Sequence, residues 1–170
     1  MERTPQEEAL ARQIKEQFHR AFYDTIAAAV ASGDHQYIVR LYTEIRDRLA
    51  AQVKPNGNAF QRIHAEFDVP FFAQLLHTGN FSGQSMLGLV NTTFDWISRL
   101  QAPKRDAELA TAKQRVMDSG TTMANAVPAY IREVHTCLDW VEADMREFSE
   151  NRDHPVVQEM LRRAVRRHTK

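Results

Sequence analysis

The stretch Ile97-Ser98-Arg99-Leu100-Gln101-Ala102-Pro103-Lys104-Arg105-Asp106 decides the fold. Ile97 and Leu100 close an apolar stripe at helical spacing, and Pro103 cannot continue that helix but suits the first turn of another. Asp106 stands where a cap for the next helix is expected. The chain therefore reads as helix, tight turn, helix, with more charge in the turn than packing alone requires.

The same grammar repeats on both sides. Upstream, Ser82 opens the helix that ends at this turn, and Met86, Leu87, Leu89, Val90, Phe94, Ile97 and Leu100 make a stripe wide enough for the central, most buried helix. Gly83 and Gly88 offer places for a neighbour to approach closely. Thr4, Pro5 and Glu7 spell an N-cap, a first-turn proline and a capping-box acid. The first helix then runs near residues 5 to 32, with Leu10, Ile14, Phe18, Phe22, Ile26, Ala29 and Val30 on its core stripe and Ser32-Gly33-Asp34 as stop and next cap. Ile38, Leu41, Tyr42, Ile45 and Leu49 form a second helix that ends before Lys54-Pro55-Asn56-Gly57. Asn58 caps a short helix, and Asp68 with Pro70 starts another that Gly79 stops.

Downstream, Asp106 opens a helix with Leu109, Ala112, Val116 and Met117, and Asp118-Ser119-Gly120-Thr121-Thr122 breaks it. Met123 begins a long helix through Val134, Leu138, Val141, Met145 and Phe148, with an irregularity expected at Pro128. Asp153 and Pro155 start a last helix bearing Val156, Val157, Met160, Leu161, Ala164 and Val165. Sustained two-residue alternation and internal repeats are both absent. The prediction is an all-α, single-domain bundle of about seven to eight helices spanning residues 1–170.

Composition narrows the function. The 170 residues are 43% hydrophobic, enough for one sizeable core. The 22 basic and 22 acidic side chains cancel, so no global field draws the protein to nucleic acid or an acidic membrane. The single Cys137 excludes a disulfide framework. Met1 leads straight into polar residues, and no run approaches the roughly 18 apolar residues of a membrane span. A soluble, cytoplasmic protein is expected.

The residues bearing chemistry do not converge. Glu16 and His19 make one Glu-x-x-His pair, whereas a di-iron bundle needs two and further glutamates, and Glu16 falls nearly opposite the apolar stripe. Cys137 lies two residues from His135 and from Asp139, and residues two apart point to different sides of a helix. His35, His64, His77, His154 and His168 lack metal spacing, and no Gly-rich phosphate loop is present. No enzyme, metal or cofactor is expected. Arg46 is a candidate for an intramolecular ion pair with Asp106 or Asp144. Arg162, Arg163, Arg166, Arg167 and Lys170 form a basic cluster suited to phosphate, an acidic protein surface or nucleic acid, although cations in a last helical turn are expected simply to complement the helix dipole.

Several stretches together resemble the T-complex protein 11 family. Leu100-Gln101-Ala102-Pro103-Lys104-Arg105-Asp106 is similar to its Cys-Ala-Pro-Val-Arg-Asp segment, departing at Gln101 and Lys104. Leu138 to Met145 resembles its Leu-x-x-Met-x-x-Asp-Met stretch, with Asp144 and Met145 matching and Val141 in place of Met. Leu41 to Arg46 is similar to its Leu-Leu-x-Glu-Ile segment, and Phe67-Asp68 stands where a Leu-Asp pair is expected. The matches cover about residues 35–150 and imply a compact, divergent member. The resemblance implies an all-helical, non-enzymatic domain tied to cyclic-AMP and protein-kinase-A signalling and, in animals, to sperm function.

Two functional expectations follow. One is an adaptor or regulatory module binding a protein partner through Arg105, Asp106 and the basic residues Arg162, Arg163, Arg166 and Arg167. The other is a bundle in which Phe60, Phe67, Phe71, Phe72, Phe81 and Phe94 line a cavity for an apolar or lipid-like ligand. A homo-oligomer is compatible with an exposed strip containing Trp96, Trp140 or Tyr130.

Overall fold

A computed structural model describes residues 2–120 and 122–150, with Pro155, Val156, Gln158, Glu159, Arg162 and Arg163 beyond them. The described residues are helical and contain no strand. The elements are α1 (Pro5–Ser32), α2 (His35–Ala50), α3 (Asn58–Glu66), α4 (Val69–His77), α5 (Gly83–Leu100), a 3-10 turn (Pro103–Arg105), α6 (Asp106–Met117) and α7 (Met123–Glu150).

Local chemistry sets most ends. Thr4 and Glu7 form the capping box on α1, Gly33 ends it at φ 74°, and Asp34 caps α2 through the Tyr37 amide. Asp68 caps α4, Ser82 and Ser85 cap each other's amides at the start of α5, and Gly79 ends the α4 turn at φ 72°. Two expected caps fail. Gly57 rather than Asn58 precedes α3, and Asp106 is already inside α6 behind Arg105, neither cap carrying a side-chain bond. The break after Met117 is real, whereas α7 passes through Pro128 without interruption.

Helix α7, not α5, is central. It packs against α1, α2, α5 and α6, and ten of its residues are buried against five on α5. Ile131, Val134, Leu138 and Val141 run down its inner face, and α2 adds Ile38, Leu41, Ile45 and Leu49. Gly83 and Gly88 do not serve close packing, since a Cβ at either would meet open space. A polar link inside the core joins Thr93 of α5 to Tyr130 of α7 at 2.8 Å.

The stripe on α1 divides. Ile26 and Ala29 are buried as expected, but Leu10, Ile14 and Phe18 are 58%, 44% and 70% exposed. At 3.6 residues per turn Ile14 lies about 120° around the helix from Ile26, so a flat contact that buries one leaves the other outside. The expected start of the last helix at Asp153 lies outside the described residues.

Candidate functional site

Charge clusters tie α7 to the rest of the bundle. Arg48, in the last turn of α2, donates from Nε to Oε1 of Glu142 at 2.7 Å and from Nη2 to Oε2 at 3.0 Å, and reaches Asp139 Oδ1 at 2.7 Å. The bidentate bond holds the Glu142 carboxyl below its ordinary range, and the same bonds raise the Arg48 guanidinium further. Burial pushes the nearby His135 imidazole below its ordinary value, and the Arg48 guanidinium works in the same direction.

The turn between α5 and α6 is a second clasp. Arg105 donates from Nε and Nη2 to the two oxygens of Asp144, both at 3.3 Å, and from Nη1 to Glu108 at 3.2 Å. Its guanidinium also lies over the Trp140 ring, 5.2 Å from the centroid. Two of the stretches that carry the family resemblance, around Arg105 and around Asp144, therefore meet in space. Gln101, at the position of the family's Cys, spans the turn by donating to Asp106 Oδ1 at 2.9 Å.

The remaining expected site residues are dispersed. Arg46 pairs with its neighbour Asp47 at 3.0 Å, while Asp144 pairs with Arg105, so the two ion-pair candidates do not meet. Arg162 and Arg163 are solvent-facing and share Glu159 at 3.9 and 3.5 Å. Arg166 and Arg167 lie outside the described residues. Trp96 and Tyr130, expected on an exposed strip, are buried, and Trp140 sits beneath Arg105. Sequence reading missed the environment of Trp96: its indole N–H donates to Glu66, and Arg62 and Arg99 stack at 5.4 and 4.9 Å. Arg99 three residues on was a local hint; Arg62 and Glu66 belong to α3 and left none.

Nucleophilic chemistry finds no support around Cys137. Burial pushes its thiol up to about 12, and nearby Glu133 works in the same direction. Glu133 itself is buried and balanced by Arg115 at 3.6 Å and Arg132 at 3.5 Å. Glu16 and His19 are exposed, and among the described residues no cluster of three or more His, Cys, Asp or Glu is placed to hold a metal.

Four of the six phenylalanines, Phe67, Phe71, Phe72 and Phe81, share a groove of about 260 Å³, while Phe60 and Phe94 lie outside it. Phe67, Phe72 and Phe94 are core residues, Phe60 and Phe81 are half-buried, and Phe71 is 56% exposed. The enclosed space beside Tyr42, Phe72, Phe81 and Tyr130 is about 10 Å³, barely enough for a water molecule. A more open apolar groove of about 450 Å³ lies elsewhere, between α5, α6 and α7, walled by Met86, Leu87, Val90, Met117 and Met123. The third surface feature is the exposed Leu10-Ile14-Phe18 stripe.

No described helix is long and apolar enough to cross a membrane. No solved structure matches the chain. A family model described as T-complex protein 11 matches residues 2–149, taking in α1 as well as the 35–150 stretch that holds the motifs. That match spans every helix from α1 to the last turn of α7, and the chain belongs to the T-complex protein 11 family.

Proposed function

We propose that this protein is a non-enzymatic helical adaptor that binds a protein partner through the outer face of α1. The observation that carries the reading is the exposed row of Leu10, Ile14 and Phe18, one residue per helical turn, on a helix whose C-terminal half is anchored in the core. Apolar residues at this spacing suit an amphipathic helix of another protein, which buries its own stripe against them. Arg162 and Arg163 are proposed as secondary contacts to acidic groups of the partner. Arg105 and Asp106 act in this proposal from behind: Arg105 holds the α5–α6 turn to α7 through Asp144, Asp106 braces the turn through Gln101, and both shape the surface only indirectly. The proposed setting is cytoplasmic and regulatory, in cyclic-AMP and protein-kinase-A-type signalling as the family resemblance suggests.

The test is crosslinking capture with wild type, Leu10→Ser/Phe18→Ser and Arg105→Glu proteins, each checked for folding by circular dichroism. Selective loss of a partner with the α1 double variant supports the reading. An unchanged partner list with that variant overturns it. A second reading, an apolar ligand seated in the groove between α5, α6 and α7, is favoured by the groove's volume of about 450 Å³ and its methionine-rich wall. Native mass spectrometry showing a co-purified apolar molecule, displaced by Val90→Trp, would favour this reading.

A further inference from the structure

Helix α1 is held to α7 at its middle by a small set of ring contacts. Phe22 of α1 stacks on His135 of α7, ring centroids 5.8 Å apart and 21° from parallel, and Arg132 lies over the Tyr23 ring at 6.0 Å. Toward the N-terminus of Phe22 the helix is largely exposed, and its side-chain hydrogen bonds found among the described residues are internal to the helix and its cap. His135 is therefore at the edge where the anchored half of α1 gives way to the projecting half.

The imidazole is unusual in one respect: its Nε2 is sealed from solvent and has no hydrogen-bond partner. A neutral ring tolerates this by carrying its proton on Nδ1 and leaving a bare lone pair at Nε2. Protonation turns Nε2 into a donor with nothing to accept from it, on a ring pressed against Phe22. The charged groups around it pull in both directions. Arg48 of α2 and His19 of α1 oppose a positive charge, while Asp139 and Glu142 of α7 favour one. Both carboxylates are engaged by Arg48, at 2.7 Å each, and neither accepts a hydrogen bond from the sealed Nε2. Tyr23, Arg132 and Glu133 are the further ionisable groups along this seam.

We propose that His135 is an acid-sensitive latch: protonation of its imidazole ejects the ring from beneath Phe22 and releases the projecting half of α1 from α7. The sign is fixed by the site. The folded latch binds the neutral ring, and the unfolded chain takes up protons more readily, so the stability supplied by the latch is present above about pH 6.5 and falls as pH drops below it. The core contacts of Ile26 and Ala29 keep the rest of α1 in place. Acidification therefore detaches one helical arm rather than unfolding the domain. The inference does not depend on what the arm binds.

The experiment is amide hydrogen exchange of the whole chain at about pH 7.5 and about pH 5.5, on either side of the free imidazole value of about 6.5, corrected for intrinsic exchange. Wild type, His135→Gln and His19→Gln are compared, and the His135 ring proton is followed by NMR. The expected result is a several-fold acceleration at acid pH confined to amides between Lys15 and Asp24, abolished by His135→Gln and kept in His19→Gln. A ring that titrates at or above the free imidazole value overturns the latch, as does an acceleration that persists in His135→Gln. Should His135→Gln fail to fold, the wild-type ring titration decides by itself.

Discussion

Arg48 at the end of α2 grips both carboxylate oxygens of Glu142 on α7, at 2.7 and 3.0 Å, across 94 residues of sequence. The pair is only partly exposed, so the bidentate bond outweighs that of an ordinary surface ion pair, and Arg48→Ala should destabilise the fold by about 1–2 kcal/mol. Arg48→Lys should recover little of this, because a point ammonium cannot make both bonds. Urea unfolding of the three proteins checks the order.

The same pair sets the acid limb of stability. Arg48 holds the Glu142 carboxyl below its ordinary 4.5, so its contribution is intact above that value and is lost as pH falls through the depressed one. Glu142→Gln should lower stability at neutral pH and flatten its decline below about pH 4.5. An acid limb as steep as that of wild type in melts across this range would place the titrating group elsewhere.

Inside the core, Thr93 donates its only hydroxyl hydrogen to the Leu89 carbonyl at 2.8 Å, so the Tyr130 hydroxyl must be the donor in the 2.8 Å contact between the two side chains. Tyr130→Phe removes one hydrogen bond and leaves Thr93 satisfied on its other side. The expected cost is about 0.5–1.5 kcal/mol by chemical denaturation. Thr93→Val leaves the buried tyrosine hydroxyl without an acceptor and should cost more.

Cys137 should be silent. With 1% exposure and a thiol raised to about 12, it reacts with an aromatic disulfide reagent only when the domain opens. The labelling rate should therefore track global unfolding and rise with urea. Rapid labelling of the native protein would contradict its burial.

The exposed stripe and the core answer substitution differently. Phe18→Ser should change stability by no more than about 0.5 kcal/mol, whereas Leu138→Ala on the inner face of α7 should cost about 2–5 kcal/mol. Thermal melts of the two variants make the comparison, and a large loss with Phe18→Ser would mean that Phe18 is covered in the folded protein.

Much of the fold was legible because it is written locally. A capping box, a proline in a first turn or a glycine at positive φ acts over three or four residues, and Thr4-Pro5-Glu7, Gly33, Asp68 and Ser82 all act where the sequence places them. Asn58 and Asp106 were misplaced by one position, since a residue of capping type can equally stand inside the first turn, where its charge or dipole still suits the helix.

The candidate site was less legible. Leu10, Ile14 and Phe18 share the apolar spacing of Ile26 and Ala29, and no local signal says which of the two arcs meets a neighbour. The same limit hid the role of Arg105, whose partner Asp144 is 39 residues away, and made α5 look central when α7 holds that place. Periodicity and caps determine that these segments are helices and where they start and stop, because both arise from bonds and contacts within a few residues. Which face is buried, which carboxylate an arginine finds and which histidine nitrogen is sealed were decided only by tertiary structure, because those energies come from groups that the chain brings together from afar.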